Sequence, residues 1–329
     1  MKRRNLVGLI AAALAAPASL LAQPARSAPR IGVLHAGAEN SEVGRLGKQL
    51  MRDVLRRVGF DEGSNFIIEW RWAEGKLERL PVLAAELVRL KVDLIVAYGS
   101  NEAAAAAKRS TRTIPIVMHA VTTPVESDLI DSLARPGGNV TGTSWAGVEI
   151  VEKLFQLLRE AMPGAFRIAV MRNPTTRDAR LYMDAYERAA SALGMTLQYF
   201  FVTRPEEVAA ALDRIAASQS DALFVANNPV ITPRYSDIVT FAVTRRLFSV
   251  GTSPDFVDQG GLFCYSPDRV HLAGRTASYV ERILRGAKPA DLPVELPTKY
   301  ELVINAKTAR AIGYKVPQSL LLRADRVIE

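Results

Sequence analysis

The sequence predicts an α/β protein of two lobes, each built on a doubly wound parallel sheet, with the chain crossing between the lobes at hinges. Short apolar runs alternate with amphipathic helical stretches, which is the pattern of βαβ units. The apolar runs end in small polar turns in both halves of the chain. The length of 329 residues suits two domains of about 150 residues each.

The first 28 residues have the order of a secretory signal peptide. Basic residues at positions 2–4 precede an apolar run over 6–16, and small residues follow with candidate cleavage sites after Ala18 and Ser27. The alternative is a transmembrane anchor, but the apolar run is too short to span a bilayer. We therefore expect a cleaved signal peptide over 1–28 and a periplasmic protein. The sequence leaves open the general secretory or the twin-arginine route.

Charge and cysteine content exclude several classes of protein. Removal of residues 1–28 takes away four basic and no acidic residues, which lowers the net charge from +8 to +4. No block of Lys and Arg remains that would indicate nucleic-acid binding. Cys264 is the single cysteine, so neither a disulfide framework nor a lipid-attachment cysteine near the signal peptide is expected. We expect no nucleic acid partner, no membrane insertion after signal removal and no cofactor.

The first half of the chain reads as one cycle of strands and helices. Apolar runs predict strands over 30–34, 66–72, 93–97 and 116–118, with helices over 46–58, 77–90 and 103–108 between them. Apolar residues from Val125 to Leu133 recur at helical spacing and predict a further short helix, which ends at the Pro-Gly-Gly turn over 136–138. We assign residues 29–144 plus 266–290 to an N-terminal lobe.

The second half repeats this order. Strands are predicted over 167–171, 195–202, 221–226 and 247–250, with helices over 150–162, 181–193, 205–217 and 236–245. After residue 265 the pattern changes to a long helix over 270–284, an extended proline-rich crossing, a strand over 300–305, a short helix over 306–312 and a tail. We assign residues 145–265 plus 291–329 to a C-terminal lobe.

The candidate binding residues follow from this layout. Ligands of doubly wound sheets bind outside the carboxyl ends of the strands. We therefore predict a cleft between two facing lips, formed by the strand-end turns and by nearby aromatic residues: His35, Ala36, Gly37, Tyr98, Gly99, Ser100, Asn101, Thr122, Thr123, Trp145, Asn173, Asn227, Ser253, Asp255 and Tyr265.

Several of these residues have a second interpretation. Ser100 and Asn101 precede a helix, so they either help to hold a ligand carboxylate or cap that helix. Thr122 and Thr123 either donate hydroxyls to the ligand or form a simple turn before a proline. Asp255 either pairs with a ligand ammonium group or caps a helix.

The aromatic residues have alternatives too. Tyr98, Trp145 and Tyr265 would suit a flat or cationic ligand, or they pack at the hinge. His35 ends the first strand and is a candidate contact, whereas His119 is interpreted as a core or strand residue.

Catalysis is not expected. The sequence has no nucleophile elbow, phosphate-binding loop, dinucleotide fingerprint or paired-histidine metal motif. Three scattered histidines and one cysteine leave few candidates for a nucleophile and base. We predict a protein without catalytic or metal-binding residues.

Four stretches of the sequence carry a resemblance to a known family. They are IIEWRWAEG at 67–75, LARPGGNVTG at 133–142, ILRGAKPADLPVE at 283–295 and ELVIN at 301–305. Along everything after the signal peptide, the chain resembles the substrate-binding proteins of ABC importers, in the group that includes tryptophan- and tyrosine-binding types. It departs from many relatives at Thr122-Thr123-Pro124, where they have Gly-Asp-Pro, and at Asn227-Asn228.

The resemblance implies a type I periplasmic-binding fold and delivery of the ligand to a permease and an ATPase encoded separately. We expect a monomeric periplasmic solute-binding protein that captures a small carboxylate ligand, first of all an amino acid, and an aromatic one if Tyr98 and Tyr265 face the cleft. The alternative is a soluble periplasmic sensor that presents its closed state to a membrane receptor.

Overall fold

A computed structural model describes residues 28–145 and 147–329. The predicted signal peptide, apart from its last residue Ala28, lies outside the described residues.

The first half of the chain forms a five-stranded parallel sheet in the order β2-β1-β3-β4-β5. Its elements are, in chain order, β1 (Arg30–His35), α1 (Glu42–Arg57), β2 (Ile67–Trp72), α2 (Leu80–Arg89), β3 (Leu94–Tyr98), α3 (Asn101–Ser110), β4 (Ile116–Val121) and β5 (Val140–Ser144).

The second half forms a larger sheet in the order β12-β11-β10-β9-β8-β6-β7. Its elements up to residue 267 are α4 (Val151–Ala161), β6 (Arg167–Arg172), α5 (Ala179–Ala192), β7 (Thr196–Phe201), α6 (Val208–Ala217), β8 (Ala222–Val225), α7 (Tyr235–Thr244), β9 (Phe248–Gly251), α8 (Pro254–Asp258) and β10 (Phe263–Pro267).

The last part of the chain contributes a helix that covers the first sheet and strands that belong to the second sheet. It contains α9 (Arg269–Leu284), β11 (Tyr300–Asn305), α10 (Ala306–Ile312), α11 (Gln318–Arg323) and β12 (Arg326–Ile328). Helix α9 packs on α1, β4 and β5 of the first sheet, whereas β11 pairs antiparallel with β10 of the second. All other strand pairs are parallel, so the predicted pair of mostly parallel α/β sheets is confirmed.

Each sheet has apolar cores on both of its faces, because its strands are apolar on both sides. In the first sheet one core lies under α2 and α3 and the other under α1 and α9. In the second sheet one core lies under α4 and α5 and the other under α6, α7 and α8. We call each sheet with its covering helices the first lobe and the second lobe.

The helix predicted between Val125 and Leu133 is wrong. This segment is a series of turns, in which the Pro124 carbonyl accepts hydrogen bonds from the N–H groups of Leu129 and Ile130. Asp128 has a φ of 55°, a left-handed conformation that interrupts a helix. Of the apolar residues that suggested a helix, Leu129 and Ile130 are buried in the core under α2 and α3.

Strand β5 was not predicted, since its sequence VTGTS is mostly polar. Its threonines are buried and their hydroxyls find partners: that of Thr141 donates to the Leu292 carbonyl at 2.6 Å. Gly142 has a φ of 133° and a Cβ there would lie 2.2 Å from the Met118 carbonyl oxygen. Only glycine fits this close approach of β5 to β4.

Backbone hydrogen bonds near the predicted lobe boundary at 290/291 show where the crossing chain lies. Val294 donates its N–H to Leu133 and Glu295 donates its N–H to Gly142, so residues up to 295 lie along the first lobe. The tail after residue 316 also contains α11 and the edge strand β12, which were not predicted. The remaining boundaries stay a prediction.

Candidate ligand-binding site

A cavity of about 150 Å³ lies between the lobes, at the carboxyl ends of β1, β3 and β4 on one side and of β6, β8 and β9 on the other. Most of the predicted residues line it: His35, Gly37, Tyr98, Gly99, Ser100, Asn101, Thr122, Trp145, Asn227, Ser253 and Asp255. The rule that ligands of such sheets bind at strand ends therefore locates the cavity.

Two predicted polar residues lie behind the cavity wall instead. The Thr123 hydroxyl accepts a hydrogen bond from the Asn101 amide at 3.0 Å and bonds to Ser127 at 3.0 Å, which places it inside the first lobe. The Asn173 side chain is buried, and its oxygen accepts hydrogen bonds from the N–H and the hydroxyl of Thr175. Both side chains organise turns rather than line the cavity.

Two further predicted residues are also absent from the cavity wall. Ala36 is buried, and its carbonyl accepts the N–H of Gly75 at 3.0 Å. Tyr265 stacks on Tyr300 with a ring distance of 5.9 Å across the pair β10 and β11. Its side chain packs against the core under α4 and α5, whereas that of Cys264 faces the opposite core, because alternate residues of a strand face opposite sides.

The first lip, which we define as His35, Tyr98, Ser100, Asn101 and Thr122, is held by internal hydrogen bonds. The Ser100 hydroxyl oxygen accepts the N–H groups of Glu102 and Ala103 at the start of α3, so the capping interpretation applies. The Asn101 amide donates to Thr122 at 2.8 Å. These polar groups already have partners within the protein.

Two hydrogen bonds join the lobes next to the cavity. The Thr122 hydroxyl donates to an Asp178 carboxylate oxygen at 2.6 Å. The backbone N–H of Arg177 donates to a Glu102 carboxylate oxygen at 3.0 Å. Thr122 and Glu102 belong to the first lobe, and Arg177 and Asp178 to the second. The structure is therefore a closed conformation.

Arg172, at the end of β6, is the main charged group of the second lip, which we define as Arg172, Asp178, Tyr182, Asn227 and Ser253. Its residue surface is 5% exposed and it lines the cavity. One terminal nitrogen donates to Asp178 at 3.2 Å. Among the described residues, no hydrogen-bond acceptor reaches its buried Nε atom. A buried donor without a partner is costly, so this nitrogen is available to a ligand.

Two tyrosines of α5 hold the Arg172 guanidinium in place. Its central carbon lies 4.8 Å from the ring centre of Tyr182 and 5.7 Å from that of Tyr186, within cation–π range. Burial raises the pKa of Tyr186 to about 12 and raises the pKa of Tyr182 well above its ordinary value. Both phenols are neutral at physiological pH and leave the guanidinium charge uncompensated except by Asp178.

Neutral aromatic rings form the opposite wall. His35 stacks between Trp72 at 4.2 Å and Tyr98 at 4.6 Å, and Tyr98 packs on His119 at 4.3 Å. Burial lowers the pKa of His35 to about 3 and that of His119 to about 4. The His35 Nδ1 accepts the Gly37 N–H at 2.8 Å, which leaves the ring proton of the neutral imidazole on Nε2. His119, interpreted from sequence as a core residue, is both buried and part of the wall.

Asp255 is paired within the protein. Its carboxylate forms a short ion pair with Arg269 at the start of α9. Ser253 caps α8 by accepting the Asp255 N–H at 3.3 Å. The Asp255 carboxylate is therefore satisfied by Arg269 and Ser253 within the protein.

Sequence reasoning missed the charged residues Glu102, Arg172, Asp178 and Arg269. The available signal was Arg172 itself, a single arginine directly after the apolar strand residues 168–171. Charged residues are rarely buried without a partner, so an arginine ending a buried strand is informative.

Comparison with known proteins gives this site a context. Residues 46–328 match the family described as ABC transporter substrate binding protein. The chain belongs to this family. Its members bind substrates and are extracellular or periplasmic. Within the described residues, no helix has the length and apolar character needed to cross a membrane.

This family member is similar to proteins with stated ligands. It is 28% identical, over 79% of this chain and 74% of the relative, to a tyrosine-binding protein of Clostridioides difficile. It is 26% identical to an ABC domain of Streptococcus pneumoniae solved in complex with L-Trp, with a TM-score of 0.83 over 92% of this chain and 100% of that one. These neighbours confirm the predicted type I periplasmic-binding fold.

A third structure differs in state. The ligand-free, open structure of a substrate-binding protein with adhesive properties from Clostridium difficile is 25% identical and covers 91% of this chain and 99% of that chain. Its TM-score is 0.63, compared with 0.83 for the L-Trp complex. The two identities are nearly equal, so the lower score with the structure stated to be open agrees with the closed conformation described here.

Proposed function

We propose that this chain is the solute-binding component of an ABC importer, which captures an aromatic amino acid between its lobes and delivers it to a permease. The permease and the ATPase are encoded separately, and the chain reaches the periplasm through the signal peptide over 1–28. It acts as a monomer. The two lobes are those of the sequence prediction, 29–144 plus 266–290 and 145–265 plus 291–329, with the crossing up to residue 295 lying along the first lobe.

The observation that carries this proposal is the unpartnered Nε of Arg172 inside the closed cavity. A guanidinium presents two parallel N–H groups to a carboxylate, and Nε with one terminal nitrogen forms one such fork. Nη1 donates to Tyr186 and Nη2 donates to Asp178, so Nε, with the second N–H of Nη2 beside it, is left for the α-carboxylate of an amino acid.

The remaining features suit the other parts of an amino acid. Glu102 and Asp178 supply carboxylates at the junction of the lobes, where an α-ammonium group would be attracted. Trp145, Ile150 and Leu154 give the cavity an apolar side. A cavity of about 150 Å³ has room for a benzene ring, so a whole aromatic amino acid requires the lobes to open slightly around it.

Binding alone accounts for this function. A ligand that contacts both lobes shifts the population toward the closed state, and no reaction on the ligand is needed. The thiol of Cys264 is buried and burial raises its pKa, so it does not supply a nucleophile. We therefore propose a protein that is not an enzyme.

Thermal unfolding of purified protein, stripped of ligand, tests this proposal. The panel contains the twenty amino acids, small carboxylates without an amino group, sugars and nucleosides. A compound that binds only the folded state increases the unfolding free energy, by about 2.7 kcal/mol at one hundred times its Kd, and thereby raises the unfolding midpoint. We expect saturable shifts with L-tryptophan, L-tyrosine or L-phenylalanine. No shift with any amino acid would contradict the proposal.

A second experiment separates import from sensing. The chain is added with the identified amino acid to vesicles that contain the purified permease and ATPase. Ligand-dependent ATP hydrolysis and uptake support import. Tight binding without any effect on transport would favour the sensor alternative.

A further inference from the structure

A second cavity, distinct from the ligand site, lies at the end of α3. It is an open groove of about 700 Å³ that four basic residues line: Lys108, Arg109 and Arg112 from the first lobe and Arg177 from the second. Asp128 is the single acidic residue along the groove within the described chain. We call it the basic groove.

The charges of the basic groove are largely free. Lys108 donates to the Asp128 main-chain carbonyl at 2.7 Å. Within residues 28–145 and 147–329, no carboxylate lies in ion-pair distance of the side chains of Arg109, Arg112 or Arg177. All four basic residues are exposed. Three guanidinium groups therefore face solvent from one groove with their hydrogen-bond donors open.

Local helix electrostatics explains only part of this cluster. Lys108 and Arg109 lie in the last turn of α3, where positive charge interacts favourably with the helix dipole. Arg112 follows the helix, and Arg177 lies just before α5, at a helix start where positive charge is unfavourable. Arg177 therefore has no electrostatic reason for its position within its own element.

Closure of the lobes completes the groove. The Arg177 N–H reaches Glu102 at 3.0 Å and the neighbouring Asp178 accepts from Thr122 at 2.6 Å, so residue 177 is held against the first lobe only when the lobes meet. Any opening of the cleft separates Arg177 from Arg109 and Arg112. The basic groove thus reports the closed state on the outer surface.

We propose that the basic groove docks an acidic polypeptide segment of the membrane partner and that it does so in the closed state. The inference rests on the proposed function for the step in which the amino acid favours closure. Arginine forks bind carboxylates in a defined geometry, so an acidic segment would gain an extra set of contacts from Arg177 on closure. A partner that reads this surface distinguishes loaded from empty protein.

The test uses a fluorescently labelled decaglutamate peptide and fluorescence anisotropy with purified protein. Affinity is measured with and without a saturating concentration of the amino acid that gives the largest thermal shift. We expect binding that weakens with salt and that is about tenfold tighter with the amino acid, since Arg177 adds charge-assisted hydrogen bonds.

Two double variants with the same change in net charge separate the groove from general electrostatics. Arg112→Ala/Arg177→Ala removes one groove arginine from each lobe and keeps the Arg177 backbone N–H. The control, Arg57→Ala/Arg310→Ala, removes one exposed arginine from each lobe, in α1 and α10. We expect the groove variant to lose about tenfold in peptide affinity and the control less than about twofold. Both should keep the amino-acid thermal shift.

The outcomes distinguish the two proposals. A normal thermal shift, with peptide binding that ignores the amino acid or that falls equally in the control, overturns the groove inference and leaves the proposed function standing. If the unaltered protein and both double variants bind phosphatidylglycerol vesicles but not the peptide, the groove inference is overturned in favour of a lipid surface. If no amino acid shifts the midpoint, the proposed function fails. The groove is then decided by whether its variant binds the peptide more weakly than the control.

Discussion

The two lips of the cavity use polar residues in opposite ways. The first lip is rich in small polar side chains, and these hydrogen-bond to one another: Asn101 to Thr122 and Thr123, and Ser100 to the start of α3. The second lip contains a buried arginine whose Nε has no partner among the described residues. The polar groups of the first lip are therefore largely satisfied within the protein, whereas the second lip offers an unpartnered guanidinium N–H that can hold a ligand.

The largest expected effect comes from the second lip. Arg172→Lys keeps the charge but removes the planar fork, so we expect about a hundredfold loss of affinity for the amino acid, measured by isothermal titration calorimetry. The matched control is Arg167→Lys at the exposed beginning of the same strand, which should leave affinity within about twofold. Equal losses in the two variants would contradict the role of Arg172.

The two buried histidines of the first lobe are expected to show a pH effect on stability instead. Burial lowers the pKa of His35 to about 3 and that of His119 to about 4, below the ordinary value of about 6.5. The unfolded chain therefore binds more protons than the folded chain below pH 6.5. Stability is fully present above that pH and is lost as pH falls toward the folded-state values.

Each imidazole takes up a proton in the unfolded chain but not in the folded chain as the pH falls from 6.5 to 5. This should lower the unfolding free energy by about 2 kcal/mol for each histidine. Urea unfolding at several pH values measures this slope. His119→Gln should flatten the slope by about half. An unchanged slope in that variant would show that His119 does not stay neutral in the folded protein.

Variants of two adjacent threonines separate the hydrogen bond between the lips from hydrogen bonds inside the first lobe. Both Thr122→Val and Thr123→Val remove a hydrogen bond from the Asn101 amide, but only Thr122→Val also removes the bond to Asp178 in the second lobe. We expect Thr122→Val to weaken amino-acid binding by about fivefold, mainly through faster release, because it destabilises closure by about 1 kcal/mol. Stopped-flow fluorescence measures the release rate.

Thr123→Val is the control for that change. It should lower the unfolding free energy by about 1 kcal/mol and leave the release rate unchanged. Faster release in this variant would mean that the closed state depends on first-lobe stability rather than on the contact between lips.

The smallest effect is expected at Tyr265, which the sequence suggested as a ligand contact. It stacks on Tyr300 outside the cavity, so Tyr265→Phe should leave affinity within about twofold. A larger loss, with an unchanged unfolding midpoint, would place the binding surface partly at β10.

The sequence was informative where apolar periodicity decides structure. The buried runs of β1, β3 and β8 and the stripe of α1 were recognisable because burial follows their spacing. It was uninformative for β5, whose buried Thr141 and Thr143 depend on partners distant in the chain, such as Leu292 and Thr276.

The candidate site shows the same division. Strand-end turns indicated where the cavity lies, but not which side chains have spare hydrogen-bonding capacity. Whether Asn101 is satisfied depends on Thr122, and whether Arg172 is buried depends on Tyr182 and Asp178. These are tertiary relationships, which spacing along one chain does not contain.

The central claim is that the free edge of Arg172 binds the α-carboxylate of the ligand. The most direct measurement compares the affinities of the best-binding aromatic amino acid and its α-amide, by calorimetry on unaltered protein. We predict that the amide binds at least about a hundredfold more weakly, because it cannot form the charged fork with Arg172. Equal affinity of the acid and the amide would contradict this account.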